Sequence, residues 1–148
     1  MTPARAILSG TLTVAVLDIL DAFVFAGLRG VAPIRVLQGI ASGLLGRESF
    51  DGGGATALLG ACIHVFISFS VVSVYSLASA RLSFLTRRPW IFGPLYGLLV
   101  YLFMYRVVLP LSASAGPKYT PVSVANQLFA HLFLVGLPAA LFARAGRW

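Results

Sequence analysis

The sequence predicts an all-α protein: a four-helix transmembrane bundle with a short interfacial helix between spans one and two. Three observations predict it. Of the 148 residues, 59% are hydrophobic and only 10% charged, whereas a soluble domain carries about 25% charged residues. The mean hydropathy is +0.93, and no water-soluble surface can be built from such a composition. The apolar residues gather into four runs of about 20, each long enough to cross roughly 30 Å of hydrocarbon at 1.5 Å per residue. A chain of this length is expected to form one compact unit over residues 1–148.

Span one is expected over about Ile7 to Leu28, closed by Arg29-Gly30 with Pro33 beyond, residues that stop a helix. Its basic start and apolar run resemble a secretory signal. The run continues to Leu28, carries two aspartates and lacks a small-residue cleavage site, so it reads as a retained span. Pro33 to Leu45 is too short to span. It places Ile34, Leu37, Ile40, Leu44 and Leu45 at helical spacing opposite Arg35, Gln38 and Ser42. That pattern suits an amphipathic helix in the headgroup plane, with a re-entrant segment as the alternative.

Span two is expected over about Ala55 to Leu77, after the flexible Asp51-Gly52-Gly53-Gly54 and before Arg81. Span three follows Arg87-Arg88-Pro89-Trp90 and runs from about Ile91 to Leu111. Span four, about Val122 to Phe142, ends at Arg144 and Arg147. Ser112 to Thr120 reads as a plain connector. Trp90, Trp148 and Tyr119 fall at span ends, where aromatic anchors are expected.

The net charge of +7 does not indicate nucleic acid, because the basic residues flank apolar runs and do not cluster on one arm or face. The partner they indicate is the lipid bilayer. Arg5, Arg81, Arg87, Arg88, Arg144 and Arg147 fall on one side, and Arg29, Arg35, Arg47 and Lys118 on the other. The richer side is expected to be cytoplasmic, with both termini there. A lone cysteine, Cys62, rules out an internal disulfide, a CxxC pair and a cysteine zinc site.

Chemistry is expected inside the spans. A charged side chain at the bilayer centre costs about 2.5–3.5 kcal/mol and must find a partner within the bundle. The residues in question are Asp18 and Asp21 in span one, His64 in span two, Arg106 in span three and His131 in span four. Counted from span midpoints, Asp18 lies near the midplane, Asp21, His64 and Arg106 roughly 4–8 Å outward of it, and His131 roughly 2 Å outward. One shared polar layer is therefore expected. Ser68 shares a stripe with His64, Tyr101 and Tyr105 lie near Arg106, and Gln127 precedes His131 by one turn. The simplest pairing joins Arg106 to Asp21, since a guanidinium cannot deprotonate to escape lipid.

The ligand-binding or proton-relay candidates are thus Asp18, Asp21, His64, Ser68, Tyr101, Arg106, Gln127 and His131. Function follows as the binding or transport of a small polar ligand, a lipid headgroup or a proton. The alternative is a non-catalytic accessory subunit of a larger membrane complex, its polar residues serving as staples. Further readings are a haem held axially by His64 and His131, or a divalent metal held by both with Asp18. No cofactor is fixed by the sequence. Catalysis finds no support, for HExxH, GxSxG and CxxC are all missing. Gly93xxxGly97 is a usable interface for a homo-oligomer.

The segments LDILDAFVF, PIRVLQGIASGLLG, GACIHVFISF, PLYGLLVYLFMYRVVLPLSA and AHLFLVGLPAALFAR together resemble a group of small four-span bacterial inner-membrane proteins to which no activity is assigned. The resemblance covers nearly the whole chain. It implies an inner-membrane location and the same four-span layout, and it supplies no ligand residues.

Overall fold

A computed structural model describes residues 1–146, which are helical throughout except for short connections; no strand occurs among them. Arg147 and Trp148, a flanking charge and an anchor in the sequence reading, lie outside the described residues. Four helices have the length and apolarity to cross a membrane: α1 (Pro3–Gly27), α3 (Gly53–Arg81), α5 (Pro89–Leu111) and α6 (Pro121–Ala145). Between the first two lies α2 (Pro33–Leu45), and a single turn, α4 (Phe84–Arg87), joins α3 to α5. The protein is an integral membrane protein with four apolar spans. Leu12, Phe66 and Leu99 stand more than half exposed around it, an apolar outer surface that only lipid would cover.

Local sequence explains the helix starts. Proline opens α1, α2, α5 and α6 in the first turn, where its missing N–H has no partner to lose. Thr120 and Ser123 cap α6 reciprocally: the Thr120 hydroxyl accepts from the Ser123 amide at 3.2 Å, and the Ser123 hydroxyl accepts from the Thr120 amide at 2.9 Å.

Two spans widen in mid-course. The Leu109 amide bonds back five residues to the Met104 carbonyl, and the Leu137 amide does the same to Leu132. Each of these residues precedes a proline, Pro110 or Pro138. A proline ring collides with the carbonyl four residues earlier, and a π turn relieves the crowding by moving that carbonyl aside. In α6 the strain of Pro138 is absorbed as a wider turn over Ala130–Gly136.

The bundle is tightly packed at the end that carries the N-terminus and α4. Val14 and Val72 meet Val135, Ala139, Ala140 and Ala143 around Tyr75. The Tyr75 hydroxyl donates to the Leu85 carbonyl at 3.0 Å, and Tyr96 donates to the Val71 carbonyl at 2.8 Å. Small residues also bring α5 onto α6. A Cβ on Gly97 would strike the backbone of His131 and Leu132, and one on Gly136 would strike Gly93 and Gly97. The Gly93xxxGly97 stripe, expected between chains, is used within this one.

At the opposite end the spans separate, and α2 lies across them. Its buried residues are Gln38, Ala41 and Ser42, while Ile34, Leu44 and Leu45 are exposed. Gln38 and Ser42 of the polar stripe face the protein while Arg35 stays exposed, and of the apolar stripe Ile34 and Leu45 are exposed while Ile40 and Leu44 line the space beneath. Gln38 donates to the Gly53 carbonyl at 3.1 Å and Arg35 to the Phe50 carbonyl at 2.8 Å. Gly60 of α3 lies so close beneath Leu37 that any Cβ would overlap its carbonyl.

Candidate functional site: a cavity between the spans

Where the four spans separate they enclose a cavity of about 810 Å³, within the range of sites that take small molecules. All four contribute to its wall: Asp18 and Ile19 from α1, His64 and Ser68 from α3, Tyr105 from α5, and Gln127 and His131 from α6. Its roof is α2 and the loop after α5. The Ala113 amide donates to the Gly43 carbonyl at 2.9 Å, and the hydroxyl oxygens of Ser42 and Ser114 are 3.2 Å apart. Ser112 and Ser114 line the cavity, so the Ser112–Thr120 segment, read from sequence as a plain connector, is part of its closure.

The polar groups meet on one side of the cavity. His64 Nδ1 lies 3.9 Å from an Asp18 carboxylate oxygen, the one ion pair within reach among the described residues. The other ring nitrogen, Nε2, is 2.9 Å from the Ala15 carbonyl oxygen. A carbonyl only accepts, so Nε2 carries a hydrogen and, in the neutral ring, Nδ1 is an acceptor. The same argument applies to His131, whose Nδ1 is 2.8 Å from the Gln127 carbonyl. Its Nε2 is then the free acceptor. Asp18 lies within electrostatic range of His131 as well as of His64.

The structure brings together five of the eight sequence candidates: Asp18, His64, Ser68, Gln127 and His131 line the cavity. Ser68 does so modestly, since its hydroxyl donates to the His64 carbonyl one turn back at 2.9 Å. The other three stand apart. Tyr101 is a step behind the wall, its ring 4.6 Å from Tyr105 and 5.5 Å from His131. Asp21 faces α6, where its carboxylate accepts from Asn126 Nδ2 at 2.8 Å.

The expected Arg106–Asp21 pair does not form. Arg106 is exposed and pairs with no acid among the described residues. It sits in the π turn of α5, five residues from the helix end, where its stem can carry the guanidinium to the headgroups. Sequence reasoning missed Asn126, because an amide carries no charge to draw attention. Tyr105 and Arg47 also line the cavity; Tyr105 was already in view as part of the α5 stripe.

Among the described residues no three acidic, histidine or cysteine side chains converge as a metal site, so the set His64, His131 and Asp18 is not assembled for coordination. For haem, His64 has Nε2 on the Ala15 carbonyl and Nδ1 3.9 Å from an Asp18 oxygen. No protein-family model matches the chain, and no curated protein and no solved structure is similar to it.

Proposed function

We propose that this protein binds a small ligand inside the membrane, in the cavity between its four spans, with Asp18, His64 and His131 as the polar end of the site. The observation that carries this is the open face of Asp18. Its side chain keeps 28% of its surface accessible, against 12% for His64, although a carboxylate at this depth needs a partner. A carboxylate placed only to staple helices would be closed by its neighbour, as Asp21 is by Asn126. Counted from the roofed ends of their helices, Asp18, His64 and His131 lie roughly 14–17 Å deep, which supports a common polar level.

The accessory-subunit reading draws on the bonds His64 makes to Ala15 and Asp21 makes to Asn126, since both join helices without involving a ligand. Native mass spectrometry of the protein extracted from its own membranes separates the two. Binding predicts a bound mass that is lost in Met104→Trp, which fills the cavity wall. An identical unliganded mass for both proteins, with both folded, would leave the accessory reading standing. The distribution of basic residues and the family resemblance support a bacterial inner membrane with cytoplasmic termini. Reporter fusions at each terminus and at the Ser112–Thr120 loop test that placement.

A further inference from the structure

The geometry points to a lipophilic cation, an apolar body carrying one ammonium-like charge, as the class of ligand this cavity holds. The inference rests on the binding reading above and deepens it. It begins from charge. Asp18 faces the cavity with no lysine or arginine in ion-pair contact with it among the described residues. Arg106 is outside the wall, and the lining cation Arg47 follows α2 in the roof. The imidazole at 3.9 Å is beyond hydrogen-bonding distance of the carboxylate. A cationic ligand would complete the carboxylate, and an anionic one would be repelled by it.

The surrounding groups favour the same charge. With its Nδ1 hydrogen on the Gln127 carbonyl, His131 offers an acceptor and no donor at Nε2, which suits an N–H group. Tyr105 adds an aromatic ring to the wall, 4.6 Å from Tyr101 and 6.1 Å from His131 by ring centroids. Aromatic faces beside a carboxylate attract cations through their quadrupoles. Most of the remaining wall is apolar, with Ile63, Ile67, Val100, Met104, Val108 and Val135 among its residues, and its other polar groups are the serines, Gln127 and Arg47. A small hydrated cation would find too few oxygens there. A cation with a greasy body would find contact on every side.

The test uses three probes of similar shape with different charge: tetraphenylphosphonium, tetraphenylborate and neutral triphenylphosphine oxide. Binding is measured by equilibrium dialysis on the full chain in phosphatidylcholine nanodiscs, with protein-free discs subtracted. The phosphonium is expected to bind once per chain and the borate not at all. Asp18→Asn should weaken phosphonium binding roughly 30-fold or more, the loss typical of removing one buried charge partner. Asp18→Glu should restore most of it, and both variants should keep the parent's thermal midpoint.

Equal binding of the phosphonium and the neutral oxide, unchanged in Asp18→Asn but abolished in Met104→Trp, would overturn the cationic class and leave the cavity as a binding site. Phosphonium binding that survives Met104→Trp would also overturn the inference, by placing the probe elsewhere. Failure of all three probes to bind folded protein would overturn it together with the binding reading.

Discussion

Replacing Gly97 by alanine tests how His131 is held. A Cβ built on Gly97 overlaps the His131 carbonyl oxygen and falls 2.7 Å from the carbonyl carbon and 2.8 Å from the Leu132 Cα. Ordinary contact begins at 3.4 Å, so clearing the carbonyl carbon alone requires α5 and α6 to part by about 0.7 Å at the level of the cavity, and clearing the oxygen requires more. The obstructing atoms are backbone, and no side-chain rotation relieves them. Overpacking of this kind costs about 1–3 kcal/mol, and the upper half of that range is expected here. Gly39→Ala is the control: nothing lies within 4 Å of its added methyl, and an alanine in a helix is worth up to about 1 kcal/mol over glycine. Unfolding of both variants in mixed micelles measures the difference. If Gly97→Ala matched Gly39→Ala in stability while changing the oligomeric state, the glycine stripe would lie between chains and the packing argument would fail.

Arg106→Gln should shift stability by no more than about 0.5 kcal/mol, whereas loss of a buried pair with Asp21 would cost about 3–5 kcal/mol; the same unfolding assay reads either outcome. Asn126→Leu should cost roughly 0.6–1.7 kcal/mol, the span of hydrogen bonds measured between membrane helices, and a double-mutant cycle with Asp21→Asn should show coupling of that size. In a Cys62→Ser background, Ser42→Cys with Ser114→Cys should form a disulfide under mild oxidation, because the native hydroxyl oxygens are 3.2 Å apart. Slow or absent crosslinking in folded protein would mean that α2 and the loop do not close the cavity together.

The architecture was legible because the constraint behind it is severe: backbone polar groups cannot face lipid unpaired, so four long apolar runs must be four helices. Asp18, His64 and His131 could be assigned to the interior for a related reason, since lipid rejects them wherever they sit. Arg106 was misassigned because its pairing with Asp21 rested on depth and on a charge it cannot shed, and depth does not say which way a side chain points. Arg106 sits in the π turn over Met104–Val108, whose cause, Pro110, is visible in the sequence while the widening it induces is not. Gly93xxxGly97 states that two backbones approach closely but not whose backbones they are. Asn126 belongs to the same class of omission: a neutral amide becomes significant only once the fold sets it against Asp21.

The packing at the N-terminal end of the bundle limits how anything could pass through. Val72, Ala139, Ala140 and Ala143 have no exposed surface, and Val14 and Tyr75 almost none. A molecule descending the bundle axis from the roof therefore meets a dead end a few turns down, sealed by methyl groups in van der Waals contact. Traffic must enter and leave on the roofed side of that plug unless it comes apart, and dismantling it would sacrifice most of the core this small chain possesses.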